Sequence, residues 1–505
     1  MSILKLNGRD FILLFLLLFG LSAQAKQPNI VFILVDDLDT EVFSHADKVN
    51  ALITAQGTQF ANHFVSMSLC CPSRASILRG QYAHNTGIYT NVLPGGGFAK
   101  FYSTGLENST VATWLQDAGY RTALFGKYLN GYPDRQSGLT YIPPGWSHWI
   151  SPNGGKPYDE YNYSLNENGK TVAYGNQDED YLVDVLSNKA VSFIRNTKAH
   201  YPNKPFFMYV APYVPHAPAT PPRRYDHDFP NIKAPRPASF NKAIIGDKPA
   251  WLRAKLSLTG KQIKRIDRLY QKRMQTMLAV GDLVENVVNV LKELGELNHT
   301  YIIFTSDNGF HQGQHQFNSG KNTAFEEDIK VPLVVRGPGV PVGASVNAIT
   351  ANVDFAPTLA EIAGVTPPSF VDGRSLGAFL AGSAPTAWRL ALLLEHGGPS
   401  ITSGTAGGLL EPQDPYDIQA EKTGESPIFV GLRSKAQAFG SHGPINYVEY
   451  DTGERELYDL SVDPHQLNNT YSTADLVLKD KLKAYLASLS GASGQALRDA
   501  EQTPP

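Results

Sequence analysis

The chain has 505 residues, a formal net charge of -3 and 42% hydrophobic residues, the composition of an ordinary globular protein. No run of Lys and Arg suggests a nucleic-acid surface, and beyond the N-terminus no apolar stretch reaches the roughly 20 residues that a membrane-spanning helix needs. Only two cysteines occur, Cys70 and Cys71, and they are neighbours. Adjacent Cα atoms sit about 3.8 Å apart, against the usual 4.4–6.8 Å across a disulfide, which argues against a structural bridge between them.

In chain order, Lys5 and Arg9 precede the short apolar run "FILLFLLLFGL", and small residues follow at Ser22, Ala23 and Ala25. This is the pattern of a secretory signal peptide over 1–25, so the mature chain is expected to be exported, with no stable membrane anchor. "NIVFILV" (29–35) is apolar throughout, which suits a strand buried on both faces of a parallel sheet. Further strands are expected at 58–65 and 120–127, in the run from 204 into "PHAP", at 300–306 and in "VPLVVRGPG" (331–339). Helices are expected from Pro72 onward, at 108–120, 179–197, roughly 260–295 and 353–364. The alternation predicts an α/β fold: a large, mostly parallel sheet sandwiched by helices. Segment 385–427, rich in Gly, Pro, Ser and Thr, reads as a long loop, although "LLLEH" inside it has strand character. "IFVGLRS", "INYVEYD" and "RELYDL" then suggest a small antiparallel sheet, followed by a helix at 472–490 and a frayed tail. The expected organisation is therefore a catalytic domain over 26–384, then a loop and a smaller α+β subdomain over 385–505.

Two apolar strands end in acidic pairs, Asp36-Asp37 and Asp307-Asn308. Ligands of open α/β sheets bind beyond the carboxyl ends of the strands, and four oxygen-bearing side chains converging there suit a hard cation, Ca²⁺ or Mg²⁺. Pro72 fits the first turn of a helix, so Cys70 falls at a helix N-terminus, where the dipole favours negative charge, and Arg74 adds a cation one turn on. On these residues alone a thiol nucleophile or redox cysteine stays open beside a metal site.

The pentad Cys70-Cys71-Pro72-Ser73-Arg74, with Leu78 and Gly80 downstream, resembles the signature of the type I sulfatases of the alkaline phosphatase superfamily. The resemblance extends through "PNIVFILVDDLD", "GKYLNGY", "PHAP", "SDNGFHQGQH", "GKNTAFEEDIKVPLVVRGPG" and "ELYDLSVDP", most of the chain. It implies that a maturation enzyme oxidises Cys70 to Cα-formylglycine, whose hydrated form offers one hydroxyl to attack a sulfate ester and a second to release the sulfate. It implies one Ca²⁺ held by Asp36, Asp37, Asp307, Asn308 and the modified Cys70. It implies that Arg74 holds the nucleophile, that Lys127 and Lys321 grip the sulfate, and that His216 stands near the leaving oxygen. The motifs are closest to glucosamine-6-sulfatase-like and arylsulfatase-like enzymes, which makes a sulfated glycan with 6-O-sulfated glucosamine units the expected substrate. Such enzymes are secreted or periplasmic, and lysosomal or extracellular in a eukaryote.

The sequence departs from the pattern at Arg79, where Thr is usual, and at Leu129 and Asn130, where many sulfatases carry a histidine. His311 and His315 are candidates for that missing role, or for contacts to substrate or to the ligands. His84 reads as structural or rim-lining, and Glu395 and His396 as possible pocket residues. Loops 128–175 and 385–425 are expected to set specificity. The competing readings are a phosphodiester or phosphonate monoester hydrolase of the same superfamily and a silent glycan-binding homologue.

Overall fold

The structure, a computed structural model, describes residues 27–243, 246–397 and 426–503. The signal peptide expected over 1–25 and most of the 385–425 loop lie outside the described residues. In chain order the strands are β1 (Asn29–Val35), β2 (Thr58–Phe60), β3 (His63–Phe64), β4 (Arg121–Gly126), β5 (His148–Gly155), β6 (Tyr163–Glu167), β7 (Lys170–Tyr174), β8 (Phe206–Ala211), β9 (Thr300–Ser306), β10 (His311–Gln312), β11 (Ser319–Gly320), β12 (Leu333–Arg336), β13 (Ala344–Val346), β14 (Thr350–Ala351), β15 (Ala391–His396), β16 (Phe429–Ser434), β17 (Ile445–Tyr450) and β18 (Arg455–Asp459).

Ten of these form one sheet in the order β13-β2-β12-β9-β1-β8-β4-β5-β6-β7. The centre, from β9 to β5, is parallel. β12 runs antiparallel to β9, and β6 and β7 fold back on β5. The continuous apolar run of β1 is explained by its two covered faces. Val31, Ile33 and Val35 enter one core with the helices Leu182–His200 and Gly260–Glu293. Ile30, Phe32 and Leu34 enter a second core with the helices Cys70–Arg79, Val111–Asp117 and Phe355–Ile362. Each such side chain stabilises the fold by about 1.5–3 kcal/mol on burial. β8 divides in the same way, Met208 and Val210 to one side, Phe207 and Tyr209 to the other.

The segment 58–65 is two short strands rather than one. β2 joins the large sheet, and β3 pairs with β14. The loop expected over 385–427 begins with β15, which pairs antiparallel with β16 and opens the four-stranded sheet β15-β16-β17-β18. The helix Leu476–Ser490 packs on that sheet through Leu482, Tyr485, Leu486 and Leu489. The tail is not frayed: Gly494–Gln502 is a helix whose Glu501 is fully buried. Burial explains its order, because Glu501 accepts hydrogen bonds from Tyr82 at 2.7 Å and from Arg374 and Arg389 at 3.1 Å each.

Candidate active site

Parallel strands with matched register end at one level. Val35 pairs with Ser306, and Gly126 with Ala211. The residues that follow β1, β4, β8 and β9 therefore share one edge of the sheet: Asp36 and Asp37, Lys127, His216, and Asp307 and Asn308. All six are buried. The pentad helix begins at Cys70, capped by Leu69 in extended conformation, and ends at Gly80, whose φ of 68° needs glycine. Its first turn points into the same cluster.

Cys70 Sγ lies 2.8 Å from Lys321 Nζ and 3.4 Å from Asp36 Oδ1. Lys127 donates to Asp36 Oδ2 at 2.5 Å, and Lys321 to Asp37 Oδ1 at 2.8 Å. Arg74 donates through Nε to Asp307 Oδ2 at 2.8 Å and through Nη1 to the Lys127 carbonyl at 3.0 Å. Asn308 donates to Asp37 Oδ1 at 2.6 Å, and the Asp37 amide donates to Asp307 Oδ1 at 3.1 Å. His216 Nε2 stands 3.5 Å from Asp37 Oδ2, with Nδ1 2.6 Å from the Ala217 carbonyl oxygen.

Burial alone would raise the Asp36 carboxyl, but Lys127, His216 and Arg74 together hold it below the usual carboxylate range. Cys70 experiences the opposite. Burial, then Asp36, push its thiol well above the ordinary value in spite of Lys127 and Lys321. Burial and Asp36 thus oppose the thiolate that the helix N-terminus would favour. Cys71 points elsewhere, into the apolar core with Ile77, Leu78 and Phe98, where burial pushes its thiol up to about 12.

The donor set fits a metal ion. One donor atom from each of Asp36, Asp37, Cys70 and His216 lies within 4.8 Å of all the others. Asn308 Oδ1 is buried without a hydrogen-bond partner, an orphan acceptor beside three carboxylates. The mostly hard oxygen donors suit calcium or magnesium. Asp307 sits at the edge of this group, its two oxygens engaged by Arg74 and the Asp37 amide.

The other histidines part company. His311, buried, is oriented by Asp328, whose carboxylate oxygens lie 2.9 and 3.0 Å from Nδ1, and it faces Gly320 next to Lys321 across the β10–β11 pair. His315 stacks on Phe325 at 3.8 Å, and burial drives its pKa well down, so it is a neutral packed ring. His84 bridges Glu395, at 3.0 Å, and the Ala492 carbonyl, at 2.8 Å. Glu395 also accepts from the Ala83 amide, and His396 stacks on Phe429, so the contacts of all three lie with structural partners. Asn130 donates to the Tyr158 hydroxyl at 3.4 Å.

Three residues that were not among the expected site residues reach this region. Tyr158 lies against the His216 ring at 4.8 Å, with Lys127 Nζ 5.2 Å from its own ring centroid. Asp328 also accepts from the Thr323 amide at 3.0 Å and hydroxyl at 2.7 Å, fixing the loop that carries Lys321. Arg273, on the long helix, donates to the Asp37 carbonyl. Only Arg273 left a trace in the sequence, as a lone charge on an apolar helical face with Ile266, Tyr270 and Met277.

The fold is an α/β sandwich with a buried acidic cluster at its strand ends. Two solved structures share the fold. One is BT4656 in complex with its substrate D-glucosamine-2-N,6-O-disulfate (TM-score 0.74, 24% identity, 94% of this chain and 99% of that one). The other is a phosphonate monoester hydrolase of Agrobacterium radiobacter (TM-score 0.66, 22% identity, 92% and 96%). The chain belongs to the sulfatase family, the sulfuric ester hydrolases: the family model Sulfatase matches residues 28–365. The N-acetylglucosamine-6-sulfatase of Homo sapiens is 38% identical over 501 residues, covering 95% of this chain and 87% of that protein.

Proposed function

We propose that the protein is an exported sulfatase that removes 6-O-sulfate from glucosamine-type units of sulfated glycans. The observation that carries this is the setting of Cys70: its Sγ lies between Lys321 and Asp36 at the strand ends, while Cys71 is buried in the apolar core. The 38% identity to an N-acetylglucosamine-6-sulfatase over nearly the whole chain supports the substrate class. Cys70 is the residue that a maturation enzyme converts to formylglycine. Once formed, that group supplies the nucleophilic oxygen, and a calcium ion held by Asp36, Asp37, Asp307, Asn308 and residue 70 supplies positive charge beside it.

The chain's own residues divide the remaining work. Arg74 fixes residue 70 and offsets the acidic ligands. Lys127 and Lys321, poised on Asp36 and Asp37, grip the sulfate oxygens and stabilise charge in transfer. The three carboxylates are matched by these three cations, so a divalent ion bound here would supply the surplus positive charge that an anionic ester needs. His216, oriented by the Ala217 carbonyl, delivers a proton to the departing alcohol oxygen. The signal peptide over 1–25 directs export. Among the described residues no helix is long and apolar enough to cross a membrane.

The test is turnover by the matured enzyme of 6-O-, 3-O- and 2-O-sulfated glucosamine oligosaccharides beside an aryl phosphate diester. Selective loss of 6-O-sulfate is expected. Preference for the phosphate diester would move the protein to the phosphonate hydrolase branch, whose fold it shares.

A further inference from the structure

Arg273 lies in the middle of the 34-residue helix Gly260–Glu293, on the face that packs Ile266, Tyr270, Met277 and Val280 into the core. It is fully buried. Its Nη1 donates to Asp39 Oδ2 at 2.7 Å, its Nη2 to the Asp37 carbonyl, and its Nε to the Pro215 carbonyl at 3.3 Å. The guanidinium also sits 4.4 Å from the centroid of the Phe310 ring. These four partners belong to three separate loops: 36–39 after β1, 213–218 after β8, and 307–310 after β9. They are the loops that bring Asp37, His216, Asp307 and Asn308 together.

Stability alone is a weak reason for such a group. A buried ion pair replaced by apolar side chains of similar volume is often as stable or more so. The geometry at Asp37 offers a better one. Asp37 has φ of 64°, in the left-handed region, which costs a residue with a Cβ roughly 1–2 kcal/mol. In this conformation its carbonyl points back to Arg273 while its carboxylate meets Lys321 and Asn308 and lies within 4.8 Å of donor atoms on Asp36, Cys70 and His216. We infer that Arg273 is a positioning residue for the metal-ligand cluster. It holds Asp37 left-handed, and it locks the strand-end loops in the register that makes their donors converge. This rests on the calcium reading of the site. Only the planar fork of arginine can serve three acceptors and an aromatic face at once.

The experiment is a calcium titration by calorimetry on chelator-treated full-length protein, with thermal unfolding of the same samples in chelator. Wild type, Arg273→Met and Asp39→Asn are compared. Arg273→Met is expected to raise the calcium Kd about 10–100-fold, the usual effect of losing a group that orients a metal ligand, and excess calcium is expected to restore much of the lost turnover. Asp39→Asn removes the carboxylate that anchors Arg273 yet keeps a side chain able to cap the helix Thr40–Ser44, so a smaller rise in Kd is expected. Wild-type calcium affinity in a folded Arg273→Met protein would overturn the inference. Should that variant not fold, an unchanged Kd in Asp39→Asn overturns it instead. Failure of the wild type itself to bind calcium removes the metal reading and this inference with it.

Discussion

Two of the buried ionic clusters among the described residues differ in one respect. At the junction of the C-terminal helix, Arg389 pairs both terminal nitrogens with Asp354 and its Nε with Glu501. Glu501 and Asp354 fill their remaining capacity from Tyr82, Arg374 and the Ala351 amide. Every side-chain nitrogen and oxygen of that trio has a hydrogen-bond partner. At the strand ends, Asp36, Asp37 and Asp307 face Arg74, Lys127 and Lys321 with equal formal charge, yet Arg74 Nη2, 3.8 Å from Asp36 Oδ2, and Asn308 Oδ1 are left without hydrogen-bond partners. A saturated buried network can only hold parts together, whereas one with orphan atoms keeps capacity for a ligand.

The widest separation between the two should come from Cys70→Ser. A serine oxygen can accept the sulfate but lacks the second hydroxyl that releases it. Turnover should fall by roughly 10³-fold or more, the scale on which loss of a nucleophile acts elsewhere, while the melting temperature stays near wild type. Peptide mass spectrometry of the active protein should show residue 70 without its sulfur. An intact Cys70 thiol in fully active enzyme would rule out the proposed chemistry.

His216→Ala sharpens the functional side of the comparison. General acid help is worth about 10²–10⁴-fold and matters most for a poor leaving group. The variant should lose much of that factor on a sulfated sugar and clearly less on nitrophenyl sulfate. Lys321→Ala, which removes a contact to the sulfate itself, should weaken both alike. Equal losses on the two substrates for His216→Ala would reduce His216 to a support for Asp37.

Glu501→Ala is the mirror experiment. It strips Arg389 and Arg374 of a carboxylate in a buried setting, and breaking such a pair from one side costs about 3–5 kcal/mol. The denaturation midpoint should drop sharply, with kcat/KM of the remaining folded enzyme unchanged. A loss of kcat/KM without a loss of stability would mean that the junction reaches the active site.

The same contrast explains what could be read from the sequence. β1 and β9 were legible because their two-sided burial makes them apolar throughout, and the acids after them were legible because they follow such runs directly. Cys70 stood out through its pentad. The junction was invisible: "SGQALRDAEQ" carries one large apolar residue, Leu497, and its order depends on one glutamate meeting two arginines more than 100 residues away. β15 was obscured by the Gly- and Pro-rich segment around it. Asp328 lay inside a quoted motif and Tyr158 inside an expected specificity loop, but neither was singled out, since only the tertiary fold brings them to Lys321 and His216. Arg273 could have been suspected, because arginine on an apolar helical face needs buried acceptors.

The smallest effect expected concerns a separate ion pair, that of His84 with Glu395. His84 lies between Glu395 and the Ala492 carbonyl, and both ring nitrogens have acceptors. Burial opposes its charge, but the Glu395 carboxylate, through its hydrogen bond and its charge, outweighs that and with the carbonyl pushes the pKa up to about 9. A pKa raised in the folded state stabilises the protein fully below the unfolded histidine value of about 6.5, and that stabilisation is lost as the pH climbs through 9. The melting temperature of the wild type should therefore decline between pH 6.5 and 9. His84→Gln still donates to Glu395 but carries no titrating charge, so its decline should be shallower over the same window, with activity on a sulfated sugar unaffected. Parallel curves for the two proteins would mean that His84 is neutral in the folded state and that Glu395 is held by the Ala83 amide alone.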